Sequence, residues 1–207
     1  CFTLQMKFNF KQEIETSCDR IFSWLAEKES KLPQLLYSSV DLRESNFKIA
    51  SIDTNIFPAG FNNLCRSNIE SICNQFKSHI NTNFQGAQSI LLFCEDHTRN
   101  AFYLENIYQL SAMIKQAGFD VTICSYFNDH PDICNSTGYL QFKTANDNDL
   151  TVHCLYYLID RLDQFKCDLC LLNNDLTNGD LAGLNQLDIP IVPHPNFGWH
   201  KRQKKIH

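Results

Sequence analysis

Residues 89–124 read SILLFCEDHTRNAFYLENIYQLSAMIKQAGFDVTIC. The run from Ser89 to Cys94 is almost wholly apolar, as expected of a strand buried on both faces. A polar turn follows, Glu95-Asp96-His97-Thr98-Arg99-Asn100. Phe102, Ile107, Leu110, Ile114 and Ala117 then recur at helical spacing. Gly118 supplies a C-terminal stop, and Val121 and Ile123 open the next strand. Strand, turn, helix, strand is a βαβ unit, which implies a parallel sheet with a right-handed crossover. The fold class that follows is α/β, a mostly parallel, Rossmann-like sheet flanked by helices.

Outward from this unit, the chain reads as one domain with an appendage. Ile14, Cys18, Ile21, Phe22 and Leu25 mark an amphipathic helix from about residue 11 to 28, stopped by Pro33. Val40 and Leu42 alternate with charged residues as a short strand. Residues 47–53 form a second extended run. After a polar and aromatic loop, Ile69, Ile72, Cys73, Phe76 and Ile80 mark a helix with N-cap chemistry at Asn62-Asn63. Residues 128–149 are rich in Asn, Asp, Ser and Thr and read as a long loop with room for a hairpin near Tyr139. Residues 150–165 return to helical spacing through Leu155, Leu158, Ile159 and Leu162. Residues 167–172 and 187–192 read as further strands. The expected organisation is a helical segment, 1–36, packing on an α/β domain, 37–207.

The composition excludes several classes. The chain has 207 residues, 43% hydrophobic and 20% charged, as in soluble globular proteins. A net charge of -5 gives no global field to recruit nucleic acid. No apolar run approaches the roughly 20 residues of a membrane helix. The ten cysteines are scattered among apolar neighbours and read as small buried hydrophobes rather than zinc ligands or disulfides. The one Cys-x-x-Cys, Cys167 and Cys170, would project to opposite faces of a strand. The pattern suits a reducing cytoplasm.

Four strand candidates end in polar clusters: Asp53-Thr54-Asn55, Asp96 to Asn100, Asn173-Asn174-Asp175, and Pro193-His194. In parallel α/β sheets, ligands bind outside the carboxyl ends of the strands. The loop after Asp53 interleaves Phe57, Pro58, Gly60 and Phe61 with Asn55, Asn62 and Asn63, which is too sticky for a passive linker and too polar for core. Arg99 falls in the expected first turn of its helix, where the dipole disfavours a cation and a bound anion would reverse that cost. The terminal run from His200 to Lys205 follows Trp199, an aromatic anchor for an ordered basic segment. No Gly-x-Gly-x-x-Gly, no P-loop and no Gly-x-Ser-x-Gly occurs.

Five strings, SSVDLRESNFKIASIDTNIFPAGFNNL, EDHTRNAFYLENI with KQAGFDV, LLNNDLTNG and GWHKRQKKIH, occur in that order over residues 37–207. In them the chain resembles the proteobacterial type of glutamate–cysteine ligase. The resemblance implies an enzyme in which ATP phosphorylates the γ-carboxylate of glutamate and the amine of cysteine attacks the acyl phosphate. The products would be γ-glutamylcysteine, ADP and phosphate, the first step of glutathione synthesis, with Mg²⁺ bridging the phosphates. It also implies an α/β domain of the kind that precedes an ATP-grasp module. Most ATP and Mg²⁺ ligands would then lie beyond residue 207, so independent catalysis by this portion is not expected. Carried over string by string, Asp53, Asn55, Asn62 and Asn63 are candidates for an ammonium or amide-type contact. His97, Thr98, Arg99 and Asn100 are candidates for a carboxylate or phosphate, and Asn173, Asn174 and Asp175 complete the substrate set. Trp199, Arg202 and Lys204 are the nucleotide candidates. Glutamate, cysteine, ATP and a missing C-terminal part of the same protein are the partners implied. The competing readings are a non-catalytic α/β binding domain for an amino acid or nucleotide, and a redox protein using its cysteines.

Overall fold

The computed structural model describes residues 10–32, 35–45, 48–96, 99–127, 131–161 and 164–201. The chain divides into two compact units, Cys1–Asn55 and Ile56–His207.

The first unit holds helices α1 (Phe10–Thr16) and α2 (Cys18–Glu29) and strands β1 (Ser39–Glu44) and β2 (Ile49–Asn55). The expected single helix is broken at Ser17, and α2 closes at Ser30. No residue of α2 is buried, and Phe22 is 64% exposed, so the periodic apolar face is not a core face here. Pro33 lies outside the described residues. β1 and β2 form their own antiparallel two-stranded sheet with an irregularity between Asp41 and Leu42. The second extended run is therefore half of a hairpin and not a strand of the parallel sheet. The strand-end rule for ligands does not extend to Asp53 and Asn55.

The second unit is built on a six-stranded sheet. Its strands are β3 (Ser89–Cys94), β4 (Asp120–Ser125), β5 (Tyr139–Lys143), β6 (Asp149–Cys154), β7 (Leu169–Asn173) and β8 (Ile191–Val192). Their order is β5-β6-β4-β3-β7-β8. All neighbours are parallel except the β5–β6 hairpin at one edge. α4 (Ala101–Gln116) carries the β3–β4 crossover, and Gly118, at φ +99°, ends it as its position in the sequence implies. The short helices α5 (Pro131–Cys134) and α6 (Leu155–Ile159) flank the β5–β6 hairpin in sequence. β3 and β7 are buried along almost their full length, as their unbroken apolar runs require.

Three readings of the second unit need correction. α3 (Ile69–Asn83) begins well after Asn62 and Asn63, which instead sit in a one-turn 3₁₀ helix, Phe61–Asn63. Residues 149–154 are strand, not helix: Leu150, Val152 and Cys154 are buried while Thr151 and His153 between them are half-buried, a period of two. The helix is left with five residues from Leu155. Phe102, placed on the core stripe by spacing, is 73% exposed.

The core beneath the carboxyl edge of the sheet joins Phe57, Leu91, Phe93, Cys124, Tyr126, Leu155, Leu172 and Leu176. Phe93 and Tyr126 meet edge to face with ring centroids 4.9 Å apart. Gly183 lets this packing close: a Cβ there would lie 2.8 Å from both Leu155 Cδ2 and Tyr126 Cε1. Cys73, Cys94, Cys124 and Cys170 are free and buried, as small hydrophobes are. Cys154 departs from the expectation of wholly free thiols, being disulfide-bonded. Among the described residues no helix is long and apolar enough to cross a membrane.

Candidate functional site

The strand order locates the site. From β3 the chain winds outward through β4 to β6, then crosses back to lay β7 on the other side of β3. The connections leaving β3 and β7 therefore diverge, and such a switch point opens a crevice at the carboxyl ends of the two strands. Cys94 and Asn173, the last residues of β3 and β7, pair in register there.

The polar residues that follow these strands are held across the seam or by the end of β4. The Asn174 side-chain amide donates to the Cys94 carbonyl at 3.1 Å, and its Oδ1 accepts from Leu176 N. Glu95 Oε1 accepts from Asp175 N at 2.6 Å, while Glu95 N donates to the Tyr103 hydroxyl on α4. Asp96 Oδ1 accepts from the Ser125 hydroxyl and from Phe127 N at the end of β4. Trp199 N donates to the Asp175 carbonyl at 2.7 Å, which docks the 3₁₀ turn Trp199–Lys201 against the same loop. Phe127 and Leu176 hold left-handed backbones at φ 55° and 54°, unusual for large side chains.

The Phe57–Asn63 loop reaches the seam by two side-chain clamps. Asn106, on α4 and 2% exposed, accepts with Oδ1 from Gly60 N at 2.7 Å and Phe61 N at 2.9 Å. Asn173, 4% exposed, donates from Nδ2 to the Pro58 carbonyl at 2.9 Å. Gly60 turns the loop at φ +94°, a conformation that disfavours any Cβ. The two amide bonds to Oδ1 fix which way the Asn106 amide points, and its buried Nδ2 has no partner among the described residues. A buried donor left unpaired costs about 1–3 kcal/mol.

Electrostatics single out two glutamates. Burial pushes the Glu95 carboxyl up to about 7, helped by the charges of Asp175 and Asp96 and opposed by the bond from Asp175 N. Glu105, on α4, is 2% exposed. Burial would raise its pKa, but donors from Gln109, Thr144, Asn148 and Asn146 outweigh that and bring it down to about 2. It thereby pins the β5–β6 turn to α4.

A crevice of ≈ 60 Å³ beside Glu95 is lined by Glu95, Asp96, Tyr126, Asn174, Thr177 and Asp180 among others. A more open cleft of ≈ 620 Å³ lies at the opposite, amino ends of β3 and β4, beside Lys115 and Lys166. We place the site at the carboxyl edge. Of the two carboxylates lining the larger cleft, Asp120 and Asp168, Asp168 is already used by Gln88 N, Ser89 N and the Ser89 hydroxyl, and the strand-end rule favours the other edge. Among the described residues no group of three or more His, Cys, Asp or Glu is arranged to hold a metal ion.

Of the residues singled out by sequence, Asn173, Asn174, Asp175 and Trp199 are brought to the seam, and Asn62 and Asn63 stand exposed on the clamped loop. Asn173 and Asn174 have structural bonds for their side chains. Asn100 caps α4, its Oδ1 accepting from Phe102 N and Tyr103 N. Arg99 is exposed and precedes the helix instead of lying in its first turn, so the dipole penalty does not apply in the form expected. Asp53 and Asn55 belong to β2 of the other unit. His97, Thr98, Arg202 and Lys204 lie outside the described residues. Sequence spacing missed Asn106, although a signal existed: it occupies the stripe of Leu110 and Ile114, where a polar residue is out of place.

A family model described as glutamate-cysteine ligase matches residues 11–207. A crystal structure from Methylobacillus flagellatus KT, provisionally described as a gamma-glutamylcysteine synthetase, is similar to the chain at a TM-score of 0.79 and 29% identity. The match covers 99% of this chain and 48% of that one, so the chain spans about half the length of its structural relative. No curated protein matches the sequence.

Proposed function

Because the chain belongs to the glutamate–cysteine ligase family, we propose that it forms the N-terminal, substrate-binding portion of an enzyme joining L-glutamate to L-cysteine. The product is γ-glutamylcysteine, the first intermediate of glutathione synthesis. The observation that carries this reading is the convergence at one seam of segments far apart in sequence. The Phe57–Asn63 loop, Cys94 and Glu95, Asn173 to Asp175, and Trp199 are linked there by direct hydrogen bonds.

In this reading the chain contributes positioning. Asn62 and Asn63 offer amide donors and acceptors from a loop whose backbone is fixed. Arg99 offers a cation to a substrate carboxylate or phosphate. Glu95, with a pKa near neutrality, offers a group that exchanges a proton at working pH. Asp53, Asn55, His97, Thr98 and Asn100 remain in the proposed substrate set on the strength of their strings. Trp199, Arg202 and Lys204 remain the proposed nucleotide contacts. ATP supplies the activation of the glutamate carboxyl when bound, and the triphosphate and Mg²⁺ are assigned to residues other than those described. A cytoplasmic location belongs to the same proposal: the free buried thiols fit a reducing compartment, and the Cys154 disulfide argues against it.

The test is ADP release by the product of the complete reading frame that contains these residues. Release that requires both glutamate and cysteine supports the ligase. Amino-acid or nucleotide binding with no release under any combination would replace it with a non-catalytic binding domain.

A further inference from the structure

Asn106 lies among the apolar residues of α4, is buried, and is not one of the residues lining the crevice. Ile107, Leu110 and Ile114 around it are at most 1% exposed. An aliphatic side chain would fill this position and remove the Nδ2 donor, but it would leave Gly60 N and Phe61 N without their acceptor. What the asparagine does instead is hold Gly60 N and Phe61 N with a single oxygen, at the start of the turn that carries Asn62 and Asn63. From the other side, Asn173 holds the Pro58 carbonyl. Two buried amides thus fix three consecutive peptide units of one loop, one from a helix and one from a strand.

We propose that Asn106 is a positioning residue for the amino-acid substrate: its Oδ1 sets the backbone at Gly60 and Phe61 so that Asn62 and Asn63 meet the substrate's charged ends. This rests on the reading that the Phe57–Asn63 loop faces an amino acid. The two bonds to Oδ1 explain why this position on the apolar stripe of α4 is polar: it fixes the loop backbone at Gly60 and Phe61. Displacing a substrate-positioning loop by about 1 Å is able to cost roughly 100-fold in rate.

The experiment compares Asn106→Leu, Asn106→Asp and the double variant Asn62→Ala/Asn63→Ala in the product of the complete reading frame. Steady-state kinetics with glutamate, cysteine and ATP are paired with amide hydrogen exchange at Gly60 and Phe61. The expected result is fast exchange at those two amides in Asn106→Leu, with KM for one amino acid raised at least about tenfold and KM for ATP unchanged. Asn106→Asp keeps the accepting oxygen and restores both readouts. Unaltered exchange in Asn106→Leu overturns the clamp. Fast exchange with unchanged amino-acid KM, or equal loss in Leu and Asp variants, overturns the positioning role. The parent reading fails by a different signature: Asn62→Ala/Asn63→Ala leaves every KM unchanged, or the wild type neither binds nor turns over glutamate, and the positioning role falls with it.

Discussion

The Asn173 side-chain amide donates to the Pro58 carbonyl at 2.9 Å, joining residues 115 positions apart. Asn173 is also the last residue of β7, so a sheet strand and a site loop share one side chain. Asn173→Ala would leave the Pro58 carbonyl without that donor in a buried setting. The expected loss is roughly 1–3 kcal/mol of unfolding free energy, read from urea denaturation with an unchanged m-value.

Glu105 should make the fold acid-sensitive. Its folded pKa, about 2, lies below the ordinary glutamate value of 4.5, so the folded state binds this proton more weakly. The stabilisation is present above pH 4.5 and disappears as pH falls toward 2, with an upper size of about 3 kcal/mol. Glu105→Gln should be less stable than wild type at pH 7 and indistinguishable from it near pH 2. Equal Tm differences at both values would refute the assignment.

Glu95 works in the opposite sense. Its folded pKa is raised to about 7, so the folded state holds the proton more tightly than the unfolded chain. Its contribution is favourable at low pH and is lost as pH rises through 7. Since Glu95 is partly exposed, the effect is discounted to roughly 1–2 kcal/mol. Glu95→Gln is expected to raise Tm at pH 8 and leave it little changed at pH 4. A pH-independent shift would show that the carboxyl does not titrate in this range.

Gly183→Ala isolates packing from backbone strain, because Gly183 already has a right-handed φ of -70°. The new methyl would meet Leu155 Cδ2 and Tyr126 Cε1 at 2.8 Å, inside the core. Overpacking of this kind costs about 1–3 kcal/mol. A variant as stable as wild type in thermal denaturation would mean that both side chains move aside freely.

Thiol reactivity separates the ligase reading from the redox alternative. Hydrogen bonding to Ser67 lowers the pKa of exposed Cys65, whereas burial raises those of Cys94, Cys124 and Cys170. Cys65 should therefore label fastest of these four with an aromatic disulfide, and the other three only on unfolding. Rapid native labelling of Cys94, Cys124 or Cys170 would contradict the burial described.

The βαβ unit from Ser89 to Ser125 was legible because its two periods are clean: a continuous run for β3, a helical repeat for α4, and a glycine stop. The β6 strand was not, because Leu150, Val152 and Cys154 run directly into the helical Leu155 and Leu158. Both apolar series fit one longer helix, and only pairing with β4 and β5 decides between them. The first extended runs misled for a related reason. Alternation identifies a strand but not the sheet it joins. Within the candidate site, Asn173, Asn174 and Asp175 were visible as polar residues ending an apolar run. Asn106 was hidden by its place inside a helix, since only the fold brings Gly60 and Phe61 to its oxygen.

The insertion of β7 beside β3 also governs the order in which the protein can be made. Residues 169–173 leave the ribosome about 80 positions after the strand they pair with. At roughly 5–20 residues per second, that is several seconds of synthesis. During that interval β3 already has β4 available on one side, while its other edge is open and strongly apolar. Unpaired edges of this kind recruit foreign strands. The seam proposed to receive the substrate is thus a part of the nascent chain in need of shielding, and β7, ending in Asn173, both closes the edge of β3 and fixes the Pro58 loop.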